Sequence, residues 1–180
     1  MNDDKVYHDV RKLRSPERLA RLEVERVVSA SLRGVGARTV LDIGTGSGIF
    51  AEAFAGRGLQ VTGVDVQETM LEAARRYVPA GRFERAASEA LPFSDGSFDL
   101  CFLGLVLHET EQPLRAVEEA HRACVLRTAV LEWPYIEQAA GPRLEDRLKA
   151  DDVLGLATAA GFARVRTVPL IHLTLFLFDK

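Results

Sequence analysis

The chain has 180 residues, 47% hydrophobic and 27% charged, with a formal net charge of −3. That is one domain's worth of chain, apolar enough to fold and long enough to bury a core without a metal or disulfide staple. A protein that gripped phosphate backbones would carry a basic excess or a basic run, so its partner is not expected to be nucleic acid.

Residues 1–36 read as an N-terminal tail and helix. The opening MNDDKVYHDV is acidic and lacks the apolar core of a signal peptide, so a cytoplasmic protein is expected. Ser15-Pro16-Glu17 is an N-cap, a proline at the first helical position and an acid in the first turn. Ala20, Val24, Val27, Val28 and Ser31 then fall on one stripe, which predicts a single helix ending near Gly34.

From residue 39 strands and helices alternate. Strands are expected at 39–43, 59–64 and 83–87, with helices at 49–57 and 68–78 between them. Residues 91–97 are turn chemistry, and the unrelieved apolar run 98–105 predicts a strand buried on both faces. It contains Cys101, which with Cys124 completes the cysteines; neither has metal-ligand spacing, so no metal site is expected. A helix at 113–123, a strand at 125–133, a helix at 151–160 and a hairpin of strands at 163–168 and 171–178 complete the chain. The stretch 134–149 has no clear period and reads as a lid. There is no internal repeat or linker, so 1–180 is expected to be one domain.

Strands alternating with helices give a parallel sheet covered on both faces, and its ligands bind beyond the carboxyl ends of the strands. Gly44, Gly46 and Gly48 end the first strand, and Asp65, 21 residues beyond Gly44, ends the second. Bare backbone there lets a ligand approach, and a carboxylate at Asp65 can accept from both hydroxyls of a ribose. A dinucleotide fingerprint needs its third glycine at position 49, which is Ile. Asp42, ending the first strand, opposes a pyrophosphate but suits a ligand with an ammonium and a sulfonium. The loop therefore favours S-adenosylmethionine over a nicotinamide cofactor.

VLDIGTGSGIFAEAFA, VTGVDV and LPFSDGSFDL resemble the first motifs of the class I S-adenosylmethionine-dependent methyltransferases, in particular the small-molecule group that includes ubiquinone and menaquinone methyltransferases. The resemblance is close over residues 38–124. It implies a Rossmann-like three-layer α/β/α sandwich with a seven-stranded sheet of order 3-2-1-4-5-7-6, the last strand antiparallel. It also implies that Asp42, Gly44 and Gly46 line the methionine part of the cofactor and that Asp65 holds the ribose. Val66 would pack on the adenine, Ala87 and Ser88 would lie at the adenine edge, and Leu103 would offer backbone beside the methionine. Where relatives carry an Asp four residues before Leu-Pro-Phe, this chain has Ala87; a lost hydrogen bond there costs about 1 kcal/mol. The Pro-Gly-Gly turn that relatives carry before the fifth strand is also missing.

Methyl transfer from a sulfonium is an in-line displacement. Positioning supplies about 7–11 kcal/mol of it and a general base roughly 3–5 kcal/mol, so a base is the smaller contribution. The best base candidates are His108 and Glu109, just past the fourth strand. Tyr135, Glu137 and Arg143 on the lid are candidate contacts to a small-molecule acceptor, Tyr135 as a catalytic group, and Tyr7, His8, Arg11 and Arg14 are a candidate second lid. The reading is a methyltransferase; the alternative is a non-catalytic domain that binds S-adenosylmethionine or its product S-adenosylhomocysteine.

Overall fold

The structure is a computed structural model that describes residues 10–180; Tyr7 and His8 lie outside the described residues. Seven strands form one sheet: β1 (Thr39–Ile43), β2 (Gln60–Asp65), β3 (Arg82–Arg85), β4 (Phe98–Gly104), β5 (Cys124–Glu132), β6 (Arg164–Pro169) and β7 (Thr174–Asp179). Their order is 3-2-1-4-5-7-6, as the resemblance implies. β1 to β5 pair in parallel, and β7 runs antiparallel to both β5 and β6.

The two-residue period of the strands divides the core between the faces of the sheet. Val40, Leu100 and Phe102 join one cluster with Val28 of α3 (Val24–Leu32), Phe54 of α4 (Ile49–Gly56) and Leu71 of α5 (Glu68–Tyr77). Their neighbours Leu41, Cys101 and Leu103 join the other, against Val117 of α6 (Pro113–Ala123) and Val153 of α7 (Ala150–Ala159). The apolar run at 98–105 is therefore buried on both faces because alternate residues serve different layers.

The single helix expected behind Ser15 is two. A short α1 (Val10–Leu13) leads into α2 (Pro16–Leu22), and the chain then turns at Glu23, whose φ is 46°, before α3 begins. Glu23 holds that turn: its carboxylate accepts the Ile171 backbone N–H at 2.6 Å and pairs with Arg26. The break rotates the stripe, so Ala20 is exposed while Val27, Val28 and Ser31 are buried. Buried Arg127 of β5 donates to the carbonyls of Ser31 and Arg33, tying the end of α3 to the sheet.

α6 runs into β5 with no intervening residue, and the register with β4 shifts between Phe98 and Leu100, which absorbs the missing turn. The closing hairpin turns over 170–173 rather than at Pro169-Leu170, because Ile171 is exposed and Pro169 still pairs with Thr174. The stretch 134–149 holds only a short 3-10 turn, Leu144–Asp146, yet it is organised. Buried Arg147 donates to the carbonyls of Pro134, Ile136, Ala140 and Pro142 and to the Gln138 side chain, at 2.8–3.1 Å. Among the described residues no helix is long and apolar enough to cross a membrane.

Candidate active site

The carboxyl ends of β1, β2 and β4 open into a cavity of about 440 Å³, within the range of small-molecule pockets. The glycine loop forms its floor. Thr45 bonds back to Val64 at 2.9 Å, so the chain must turn sharply at Gly44, where φ is +66°. A Cβ on Gly44 would stand 2.2 Å from Val106, so only glycine fits there. α1 and α2 cover the loop: Leu13, Arg18 and Leu22 line the cavity. Arg14 clamps this cover, donating to the Ser47 carbonyl, pairing with Glu52 and stacking on Tyr77.

Among the described residues, five carboxyl groups line the cavity, from Asp42, Asp65, Glu89, Glu109 and Glu111, against one basic side chain, Arg18. Asp42 is fully buried and accepts from the Thr45 hydroxyl at 2.7 Å. Burial, with Asp65 nearby, raises its pKa to about 7. Asp65 accepts from the Gly46 and Gln67 amides, each at 2.9 Å, while burial pushes its pKa up. The buried hydroxyl of Ser47 lines the same cavity with no hydrogen-bond partner among the described residues. A surplus of carboxyl groups, a buried Ser47 hydroxyl without a partner among the described residues and a glycine cradle fit a cationic nucleoside better than a pyrophosphate, which these carboxylates would repel.

A second cavity, about 650 Å³, adjoins the first and shares Arg18, Leu105 and Glu109 with it. Leu105 sits just past β4 with φ +62°, a strained conformation for a branched side chain and one that gathers at functional sites. The rest of the wall comes from α1 and α2 on one side and from Trp133, residues 139–143 and Asp146 on the other. Its charge is reversed: Lys12, Arg18, Arg21 and Arg143 line it, against Glu17, Glu109 and Asp146.

His108 also lines the second cavity. Its Nδ1 lies 2.7 Å from Glu132 Oε2, and its backbone N–H donates to the other oxygen of the same carboxylate at 3.3 Å. An ionised carboxylate only accepts, so Nδ1 carries the proton and Nε2, 3.8 Å from Glu109, is left with a lone pair. Burial opposes the charged imidazole, but the adjacent Glu132 carboxylate outweighs it and the His108 pKa is raised. Burial lifts Glu109 to about 7.

Of the residues singled out from the sequence, Asp42, Gly44, Gly46, Asp65, Val66, Ala87 and Ser88 all line the first cavity, and Glu109 lines both. Leu103 lines neither: it is wholly buried between β4 and α6, and Gly104, one residue on, takes the cavity wall. Tyr135 does not reach the site either. It is 41% exposed with Lys149 over its ring, because the aromatic that turns inward at the end of β5 is Trp133. Glu137 is exposed and lines neither cavity, whereas Arg143 lines the second. Arg14 folds over the glycine loop, as a second lid requires. Glu132 was missed, since only the fold brings it to His108, 24 residues away. Glu89 was missed too: two residues after Ala87 it carries a carboxylate to the same cavity and accepts from the Ser88 hydroxyl.

The comparisons with known proteins agree with this geometry. Residues 41–127 match the methyltransferase domain family. Over that span, just under half of its length, the chain resembles the methyltransferase domain family. A crystal structure of a SAM dependent methyltransferase from Aquifex aeolicus aligns over 96% of this chain and 99% of that one, with a TM-score of 0.82 and 27% identity. An uncharacterized methyltransferase of Mycobacterium sp. (strain JLS) is 41% identical over 87 residues, 48% of this chain and 34% of its own length. One from Mycolicibacterium gilvum is 45% identical over 86 residues, again 34% of its length. The chain thus spans about a third of the curated relatives it matches, and the family match at 41–127 contains most of the residues that line the first cavity.

Proposed function

We propose that the chain moves a methyl group from S-adenosylmethionine to a small-molecule acceptor held in the second cavity, in the cytoplasm. The observation that carries this reading is the shared wall: an acidic cavity suited to the cofactor meets a separate cavity at Arg18, Leu105 and Glu109. A domain that only sensed the cofactor would have no use for the second.

When bound, the cofactor supplies an electrophilic methyl on a sulfonium. Asp42, Gly44, Gly46 and Ser47 would hold its methionine end, and Asp65 its ribose. Val66, Ala87, Ser88 and Glu89 would enclose the adenine, with Glu89 offering the carboxylate that Ala87 lacks. His108 takes the acceptor's proton at Nε2, and Glu132 fixes its tautomer and stabilises the imidazolium that results. Glu109, about half ionised at pH 7, lines both cavities and so closes the wall between them without adding a full charge.

Turnover decides the matter: labelled methyl should pass from S-adenosylmethionine to members of a panel of phenols, hydroxy acids and amines. His108→Gln should lower kcat by about 10²–10⁴-fold while S-adenosylhomocysteine still raises the melting temperature. Binding without any methylated product would return the chain to the non-catalytic alternative.

A further inference from the structure

We propose that the second cavity selects an acceptor bearing an oxyanion, a carboxylate or a phosphate, gripped by Arg21 and Arg18 of α2. This rests on the reading of that cavity as the acceptor site and names the class of molecule it takes.

The first argument is charge. The chain as a whole is acidic and so is the cofactor cavity, yet the adjoining space gathers basic side chains. Arg18 and Arg21 are three residues apart on α2, so both project from one face of that helix. Asp146 is engaged by Arg143 at 3.1 Å on the far wall, and burial raises the Glu109 pKa to about 7, which leaves it about half ionised at neutral pH.

The second argument is Arg21 itself. It is half-buried, lines the cavity, and makes no ion pair or hydrogen bond among the described residues, although Glu17 is one helical turn away. Most exposed arginines of this chain answer a carboxylate, as Arg26, Arg57 and Arg75 do. A guanidinium partly withdrawn from water with its donors unanswered is a receptor for a planar or tetrahedral oxyanion, which it binds through two parallel hydrogen bonds.

The third argument is the distribution of polarity. Leu105, Trp133 and Ala140 give the cavity an apolar floor for the body of a ligand. The α2 arginines and His108 line the same cavity as these apolar side chains, so an acceptor held by its oxyanion can present a hydroxyl to the imidazole. An oxyanion at Arg21 then fixes orientation, which is the larger share of catalysis in a displacement of this kind.

The test reads binding, so it does not depend on turnover. The full chain, saturated with S-adenosylhomocysteine, is titrated with hydroxybenzoates, hydroxyphenyl phosphates and the neutral hydroxybenzamides, following melting temperature and calorimetric affinity. At least one oxyanion class should bind about tenfold more tightly than its amide counterpart. Arg21→Gln should remove that preference, and Arg21→Lys should restore part of it. Whichever of carboxylate and phosphate leads identifies the group. Amides binding as well as the oxyanions, a preference that survives in Arg21→Gln, or no binding by any probe overturns the proposal. The shift given by S-adenosylhomocysteine alone reports separately on the methyltransferase reading: its loss, not the probe results, would remove that reading.

Discussion

The two cavities share a wall but are built from different material. The first is made by the ends of β1, β2 and β4, and its polar groups are already paired by local contacts: Thr45 to Asp42, Gly46 and Gln67 to Asp65. The second is assembled from α1 and α2 and from a stretch more than a hundred residues later, held in shape by the Arg147 guanidinium. A site written into strand ends is rigid and transferable between proteins. One made of helix cover and irregular chain can change its lining without disturbing the sheet. The match to the methyltransferase domain family spans residues 41–127, which hold the strand ends of the first cavity but neither the α1 and α2 cover nor residues 133–146 of the second.

Two glycines break the comparison most sharply. Gly44→Ala places a Cβ 2.2 Å from Val106 at a φ of +66°. It should abolish the melting shift given by S-adenosylhomocysteine and all turnover. Gly141→Ala puts a Cβ 2.7 Å from Trp133, at a φ of +92°, and disturbs only the second cavity. The cofactor shift should survive there and acceptor turnover should fall. Loss of the cofactor shift in both variants would show that the cavities are not independent.

The acid of the first cavity is next in size. The sequence leaves Asp65 at a strand end with no evident structural partner, which predicts that Asp65→Ala spares the unliganded protein. The structure overturns that expectation, because the carboxylate accepts two backbone amides. Hydrogen bonds to a charged group are worth about 1.5–3 kcal/mol each, so even with water replacing part of them the loss is about 3 kcal/mol, or roughly 6–12 °C in melting temperature. Asp65→Ala should therefore lower the unliganded midpoint and remove the S-adenosylhomocysteine shift. An unchanged midpoint would mean that the loop holds its shape without the carboxylate.

Arg147→Met probes the second cavity in the same way. Five oxygens lose their donor, but the segment lies at the surface and opens to water, so the global cost is only about 2 kcal/mol. Hydrogen exchange should accelerate across 134–147 and not in β1 or β4, and the acceptor's KM should rise with cofactor affinity unchanged. Protection that persists across 134–147 would show that the guanidinium is not what orders the segment.

The legibility of the sequence follows the same line. The glycine loop and Asp65 could be read because their neighbours in the chain are also their neighbours in space. The alternation of elements gives a parallel sheet covered on both faces, whereas the strand order came only with the family resemblance. Glu132 could not be read, since an acid at the end of a strand looks the same whether it meets solvent or His108. Leu103 was expected beside the cofactor, but its side chain turns into the core and Gly104, where β4 ends, lines the cavity. The expectation for Tyr135 followed the idea of a lid, while Trp133, two residues before, faces inward. The break at Glu23 was hidden because its cause is a backbone amide at Ile171, 148 residues away.

The smallest effect distinguishes the charge of the two cavities directly. Asp42 titrates at about 7 in the fold against 3.8 in the unfolded chain. The folded state thus holds a proton that the unfolded state has lost. The stability this gives is complete below pH 4 and disappears as pH rises through about 7. Glu109, raised from 4.5 to about 7, has the same sign, and so does His108, raised from 6.5 by Glu132. The unliganded midpoint should therefore fall between pH 5 and pH 8. A cation beside Asp42 reverses this for that residue, because it favours the ionised form. S-adenosylmethionine carries a sulfonium charge that S-adenosylhomocysteine lacks, and both carry the ammonium. The ratio of their affinities should thus shift towards S-adenosylmethionine as Asp42 ionises, and level off above pH 7. Across a partly hydrated gap the extra attraction is about 1 kcal/mol, a change of roughly fivefold in that ratio by calorimetry between pH 5.5 and pH 8. A ratio that does not move with pH would place the sulfonium away from Asp42, and the acidity of the first cavity would then serve the fold and not the cofactor.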